Sequence, residues 1–317
     1  MDLNQAILYA QLVNAAYAVD PTDLQNRAGQ VVSAGLGTAK KDYVVITSLY
    51  ANDLATQKNP NRAKSQVSIG FVLQAKNGGE AVIAFRGTQG IREWVIDASF
   101  GTRPCPFLAS AGQTEDGFTD MYETVRTEPG KAPTKLPAAL PGLNWRQPVE
   151  SLTVCGHSLG GALATLAALD IAIHSTAPYH DPTVYTYASP RTGDTQFATK
   201  YNQIVPDTYR VANDLDLVPK LPVFPPYQHV MGDFGLKPFT IFPPKFLLQP
   251  NPVCEHVLTS YLHLLSLDAG GEVLPPKDAC QPHLSFSEIS SQIEMKWGNT
   301  ERLKQEFSSD DGQPPNR

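Results

Sequence analysis

The sequence contains few charged residues and no cluster of basic ones. Asp, Glu, Lys and Arg make up 18% of the 317 residues, and the formal net charge is −6. A nucleic-acid-binding protein needs Lys and Arg grouped on one surface, where they contact phosphates. This composition therefore argues against binding to nucleic acid, and we expect no nucleic-acid partner.

Long hydrophobic runs are also missing. No stretch of about 18 consecutive apolar residues occurs, which is the length that a transmembrane helix requires. The first 20 residues lack a basic start and a continuous apolar core, so we expect no signal peptide there. Their apolar side chains recur at helical spacing instead, which predicts a helix of the fold itself. A cytoplasmic location and a secreted mature form are both compatible with this start.

Cysteine is scarce. The four cysteines are Cys105, Cys155, Cys254 and Cys280, and none of them forms a C-x-x-C pair or a zinc-ligand pattern. They allow two disulfides in three connectivities, or none. The sequence therefore predicts no structural metal site of the zinc-ribbon type.

Apolar residues make up 42% of the chain, which is enough to bury a large core. No charged or low-complexity linker interrupts residues 1–305, so we predict a single domain there, followed by a polar tail over 306–317. Strand and helix patterns alternate through the middle of the chain, which predicts an α/β fold with a mostly parallel sheet covered on both faces. Strands are predicted at 42–49, 67–74, 80–85, 183–187 and 208–211, and helices at 116–127, 158–174, 196–202 and 256–267.

The most informative segment runs from Thr153 to Gly161 and reads T-V-C-G-H-S-L-G-G. A short apolar strand pattern leads into G-x-S-x-G, and an alanine-rich helical pattern follows at once. This is the arrangement of a nucleophile elbow, in which a sharp strand-to-helix turn presents a serine hydroxyl. Ser158 is therefore the candidate nucleophile. The alternative interpretation is a plain glycine-serine turn before a buried helix.

A serine nucleophile needs a histidine base and an acid that orients the histidine. In folds with this elbow, the chain order is serine, then acid, then histidine. Asp216 and Asp214 are both candidates for the acid. The order alone does not choose among the downstream histidines, which are His229, His256, His263 and His283.

Several further blocks occur along the chain, and they are A-A-Y at 15–17, V-I-A-F-R-G-T at 82–88, D-G-F at 116–118, G-H-S-L-G-G at 156–161, Y-A-S-P-R-T-G-D at 187–194 and D-L-V-P-K-L-P at 216–222. In this order and spacing, they together resemble the class 3 lipases, the family of fungal triacylglycerol lipases and their bacterial and plant relatives. The resemblance implies an α/β-hydrolase fold. It also implies that Asp216 is the acid and that His256, ahead of a Tyr-Leu-His run, is the base. By helical spacing, His263 would share a face with His256 as a structural neighbour.

Two further site features follow from the resemblance. The backbone N–H groups of Leu159 and Thr88 are expected to form the oxyanion hole, which stabilises the negative charge of the transition state. Residues from about 89 to 105 are expected to form a lid, with Ile91, Trp94 and Val95 on its apolar side. The alternatives are a plain strand-end turn at Thr88 and a fixed surface helix at 89–105.

These features predict a triacylglycerol lipase-like serine ester hydrolase that needs no metal or organic cofactor. The expected partner is a lipid ester substrate, with transient contact at the lipid–water interface. A soluble short-chain carboxylesterase or a phospholipase A1 would use the same triad. An inactive lipid-binding protein with a hydrolase fold is the non-enzymatic alternative.

Overall fold

The computed structural model describes residues 1–54, 65–88, 101–223, 226–236, 252–270 and 272–274. The predicted domain limits at 305 and the tail at 306–317 remain predictions, because residues beyond 274 lie outside this part of the chain.

An eight-stranded sheet forms the centre of the fold, in the order β1-β2-β3-β4-β7-β8-β10-β12. Its first three pairings are antiparallel, and the four pairings from β4 onward are parallel. The carboxyl ends of β4, β7, β8 and β10 therefore meet at one edge of the sheet. The strands are β1 (Val31–Ala34), β2 (Lys41–Asn52), β3 (Gln66–Ala75), β4 (Glu80–Phe85), β7 (Ser151–His157), β8 (Thr183–Tyr187), β10 (Thr208–Asn213) and β12 (Asp233–Leu236).

A smaller antiparallel sheet has the order β11-β9-β6-β5. Its strands are short, and consist of β5 (Thr102–Pro104), β6 (Gln113–Glu115), β9 (Gly193–Asp194) and β11 (Tyr227–Gln228).

Helices cover both faces of the large sheet. Those in the described residues are α1 (Leu3–Tyr17), α2 (Asp116–Glu123), α3 (Leu136–Ala139), α4 (Leu159–His174), α5 (Thr195–Ile204), α6 (Pro252–His256) and α7 (Leu258–Asp268). Side chains of α2 to α5 pack in one hydrophobic core, and those of α1 and α7 pack in the other. Strand β4 shows the alternation directly, since Ile83 and Phe85 face the first core while Val82 and Ala84 face the second. This arrangement is the covered, mostly parallel sheet that the sequence predicts.

Helix α4 lies close against the sheet because small residues line its contact surface. Gly160, Ala164 and Ala168 are fully or almost fully buried, and a Cβ on Gly160 would lie 2.5 Å from the carbonyl oxygen of Phe85. Its first turn is thereby fixed at the carboxyl end of β4.

One predicted helix is divided in two. The segment 256–267 was expected to be continuous, with His256 and His263 on one face. Instead His256 is the last residue of α6, Val257 is extended with φ −63° and ψ 139°, and α7 starts at Leu258. The expectation of a shared face was therefore wrong, because the chain changes direction between the two histidines.

None of the helices formed by the described residues has the length and hydropathy needed to cross a lipid bilayer. Within the same ranges, no group of His, Cys, Asp and Glu side chains is arranged to hold a metal ion.

Candidate active site

Ser158 lies between the end of β7 and the start of α4, in a strained backbone conformation with φ 58° and ψ −130°. Its N–H donates to the carbonyl oxygen of Tyr187, 2.8 Å away on the neighbouring strand. A Cβ on Gly156 would lie only 2.0 Å from the carbonyl oxygen of Gly160, which explains the glycine at position 156. The local geometry is that of the predicted elbow.

The Ser158 hydroxyl oxygen is buried and has no hydrogen-bond partner among the described residues. A buried polar atom without a partner is unusual in a folded protein, because leaving it unpaired costs free energy. Such an atom at a strained turn is a common property of reactive groups.

Asp216 follows β10 and is completely buried. One carboxylate oxygen accepts hydrogen bonds from His256 Nδ1 at 2.8 Å and from the Tyr261 hydroxyl at 2.7 Å, while the other accepts from the Val218 N–H at 2.9 Å. Three donors thus hold the carboxylate in one orientation. The rival acid, Asp214, has an exposed side chain.

His256 has a second ring nitrogen, Nε2, that is not engaged by Asp216. Because Nδ1 donates to Asp216, the neutral imidazole leaves Nε2 as a lone-pair acceptor. Nε2 is buried and, like the Ser158 hydroxyl, has no partner in the described ranges. The ring is therefore in the tautomer that a general base needs.

The other downstream histidines are differently placed. His229 Nε2 contacts the carbonyl oxygen of Pro219, and burial lowers the pKa of His229 well below its usual value. His263 Nδ1 lies 2.8 Å from the carbonyl oxygen of Leu274. His283 lies outside the described residues.

The loop after β4 approaches Ser158, the candidate nucleophile, closely. A Cβ on Gly87 would lie 2.6 Å from the Tyr17 hydroxyl oxygen and 2.9 Å from Ser158 Cβ, so only glycine fits there without a shift. Thr88 comes next and is half-buried. Leu159, on the other side of Ser158, begins α4 and is buried. Thr88 therefore follows a glycine that lies against Ser158, and Leu159 is the residue directly after Ser158.

Arg86 supports this loop from behind. Its guanidinium donates to the carbonyl oxygens of Val19 at 2.9 Å and Gly87 at 3.1 Å, and it lies 5.4 Å from the centre of the Tyr17 ring. These contacts agree with the structural role that the sequence suggests.

The predicted lid residues Ile91, Trp94 and Val95 lie outside the described residues. The end of the proposed lid segment is described: Thr102–Pro104 form β5, which pairs with β6, and Cys105 is buried. The segment from 89 to 105 therefore includes at its end residues that belong to the small sheet.

Asn213 connects the strand that leads to Asp216 with the helix that ends at His256, a contact that sequence reasoning missed. Its side-chain amide donates to the Glu255 carbonyl oxygen at 3.1 Å and to the Glu255 carboxylate at 2.9 Å, while its amide oxygen accepts from the Leu215 N–H at 3.1 Å. Burial raises the pKa of Glu255; the hydrogen bond from Asn213 opposes this rise, and the nearby Asp216 adds to it.

Sequence reasoning also assigned no role to Tyr17, His157 or Tyr261, although all three lie in the blocks quoted above or in the Tyr-Leu-His run. The signal that could have found them is a polar aromatic side chain at a position that the fold buries beside the site.

Cys105 and Cys155 are buried free thiols, whereas Cys254, two residues before His256, is in a disulfide.

Comparisons with known proteins show what the chain is similar to. The family model for lipase (class 3) matches residues 82–225. The secreted mono- and diacylglycerol lipase 1 of Fusarium solani is 29% identical over 241 residues, which cover 74% of this chain and 64% of that protein. Phospholipase A1-II 6 of Oryza sativa subsp. japonica is 30% identical over 248 residues, which cover 69% of this chain and 60% of that protein.

The crystal structure of the mono- and diacylglycerol lipase from Aspergillus oryzae superposes with a TM-score of 0.52 and 26% identity, covering 73% of this chain and 78% of that one. The predicted α/β-hydrolase fold is confirmed. The chain spans less than two thirds of the length of the two curated relatives named above.

Proposed function

Because the chain belongs to the class 3 lipase family, we propose that this protein is a serine ester hydrolase that cleaves acylglycerol esters through an acyl-enzyme intermediate. One observation carries the proposal. The Asp216 carboxylate fixes the His256 tautomer, which leaves a buried acceptor nitrogen and a buried serine hydroxyl, both without partners in the described residues.

In the proposed mechanism, the Ser158 hydroxyl attacks the ester carbonyl while His256 Nε2 accepts its proton. His256 then protonates the leaving alcohol, and Asp216 stabilises the imidazolium that forms between these steps. Water, deprotonated by the same nitrogen, attacks the acyl-enzyme, and His256 returns the proton to the Ser158 oxygen as the fatty acid leaves. The reaction needs no metal or organic cofactor.

The N–H groups of Leu159 and Thr88 are the proposed oxyanion donors. Each donor of this kind contributes about 3 kcal/mol of transition-state stabilisation in comparable sites. The closeness of Gly87 to Ser158 supports the assignment, because it brings the Thr88 loop next to the serine whose hydroxyl attacks the ester.

Covalent labelling tests the catalytic part of the proposal. A fluorophosphonate probe should label the parent protein and should not label Ser158→Ala. Since the probe requires an activated serine, an unlabelled but folded parent would favour the inactive lipid-binding alternative.

Phospholipase A1 activity is the second candidate, and the similarity to the rice phospholipase A1-II 6 favours it. Release of fatty acid from the sn-1 position of a phosphatidylcholine, compared with release from a diacylglycerol of the same chains, separates the two. A higher kcat/KM on the diacylglycerol is the result expected from our proposal.

We also propose transient contact with the lipid–water interface, because long-chain acylglycerols exceed their solubility and form emulsions. The rate on a triacylglycerol should rise as its concentration passes the solubility limit. A rate that is already maximal on dissolved short-chain esters would instead indicate a soluble carboxylesterase.

A further inference from the structure

A chain of three hydrogen bonds joins the oxyanion loop to the backbone of the base. The Gly87 N–H donates to the Tyr17 hydroxyl oxygen at 2.8 Å, and that oxygen lies 2.7 Å from His157 Nδ1. The other ring nitrogen, His157 Nε2, lies 2.8 Å from the carbonyl oxygen of His256. The four residues come from the end of α1, the loop after β4, the end of β7 and the end of α6.

The chemistry of the partners fixes the direction of this chain. A carbonyl oxygen only accepts, so His157 Nε2 carries the proton and, in the neutral ring, Nδ1 is the acceptor. Burial lowers the pKa of His157 well below its usual value, as does the nearby His256 ring, so the neutral form is retained. Burial raises the pKa of Tyr17, which remains a phenol and donates to Nδ1.

The His157 ring also packs directly on the base. Its centre lies 4.8 Å from that of the His256 ring, with the two planes inclined by 39°. His157 therefore contacts the base through its ring and through a backbone hydrogen bond, while its own backbone continues into Ser158. A neutral ring at this place does not repel the imidazolium that forms on His256 during acyl transfer.

We propose that Tyr17 and His157 are positioning residues that hold the oxyanion loop, the nucleophile and the base in one fixed relation. This inference rests on the proposed function and extends it to two side chains that do not touch the reacting ester. Loss of either side chain leaves the loop or the base less well oriented, and the transition state is sensitive to such displacement.

Tyr9 provides a matched comparison on the same helix. Its hydroxyl donates to Glu80 at 2.6 Å, and the Tyr43 hydroxyl donates to the same carboxylate at 2.8 Å. Glu80 begins β4, so this cluster lies at the end of the strand opposite to Gly87. Tyr9→Phe removes the same atom from the same helix, away from the site.

The first experiment compares Tyr17→Phe with Tyr9→Phe. We expect Tyr17→Phe to lower kcat about tenfold or more with KM within about twofold, because an oxyanion donor acts in the transition state. Affinity for a boronic acid, which forms a tetrahedral adduct, should fall by the same factor as kcat/KM. Tyr9→Phe should leave kcat and boronate affinity unchanged while lowering the urea midpoint. A Tyr17→Phe variant that loses only stability would overturn the proposal.

The second experiment separates the two ends of His157. The amide nitrogen of Gln can replace Nε2, and the amide oxygen of Asn can replace Nδ1, so His157→Gln keeps the link to His256 and His157→Asn keeps the link to Tyr17. We expect both to retain more kcat than His157→Leu, which keeps neither link. Equal kcat in all three folded variants would contradict the positioning role; if His157→Leu does not fold, Tyr17→Phe decides.

The rate of fluorophosphonate labelling distinguishes failure of this inference from failure of the proposed function. If the parent is not labelled, the proposed function fails. If the parent is labelled and Tyr17→Phe is labelled at the same rate, the function stands and the positioning role is refuted.

Discussion

Replacing Tyr261 with Phe tests how strongly the buried acid depends on its hydrogen bonds. The Tyr261 hydroxyl is completely buried, donates to Asp216 at 2.7 Å and accepts from the Asn213 N–H at 3.0 Å. A hydrogen bond to a charged group contributes about 1.5–3 kcal/mol, and a buried N–H left unpaired costs about 1–3 kcal/mol. Because Phe fills nearly the same volume, we expect Tyr261→Phe to lower the free energy of unfolding by about 3 kcal/mol or more.

Tyr201→Phe is the matched control. Tyr201 is equally buried, but its hydroxyl lies 3.1 Å from the uncharged Thr208 hydroxyl. That substitution should cost only about 1 kcal/mol, the net value of a neutral hydrogen bond. Urea unfolding at pH 7, followed by fluorescence and analysed by linear extrapolation, measures both losses.

A double-mutant cycle assigns the difference to the carboxylate. In an Asp216→Asn background, the cost of Tyr261→Phe should fall by at least about 1 kcal/mol, because the charge-assisted bond is already gone. Equal losses for Tyr261→Phe and Tyr201→Phe, or an unchanged cost in the Asp216→Asn background, would refute the reasoning.

Three further outcomes are expected. Asp216→Asn should lower kcat on the order of 10⁴-fold with a smaller change in KM, measured on a soluble ester, because the imidazole loses its orienting carboxylate; a loss below tenfold would contradict its role as the acid. Gly87→Ala should lower kcat by about 10²-fold through displacement of the oxyanion loop, whereas Gly142→Ala, where a Cβ meets no atom within 4 Å, should retain parental kcat. The fold raises the pKa of Glu255, so the folded protein favours the protonated carboxyl. As the pH rises from the ordinary pKa of 4.5 through the raised pKa, the parent should therefore lose stability relative to Glu255→Gln. Urea unfolding at pH 4 and pH 7 measures this, and a difference in unfolding free energy between the two proteins that is the same at both pH values would contradict it.

Local features of the fold could be predicted from the sequence because their causes are local. The strand at 80–85 and that at 183–187 coincide with β4 and β8, and the elbow at Ser158 follows from glycines that a tight turn requires. The very short strands of the small sheet were missed, since two or three residues carry no detectable alternation.

The partners of the site residues could not be predicted in the same way. Chain order left several histidines open, and only a resemblance selected His256. The contact between Tyr17 and His157 spans 140 residues, and that between Asp216 and Tyr261 spans 45. Such pairs depend on which strand ends and helices the fold brings together, and this information is not present in any short window of sequence.

The backbone of Ser158 has a consequence for the relation between stability and activity. A non-glycine residue in that region of conformational space costs about 1–3 kcal/mol, and the surrounding turn enforces it. Selection for stability alone would favour glycine at this position, and would thereby remove the hydroxyl on which the proposed chemistry depends. In a library screened only for heat resistance, replacement of the proposed nucleophile by glycine is therefore an expected outcome.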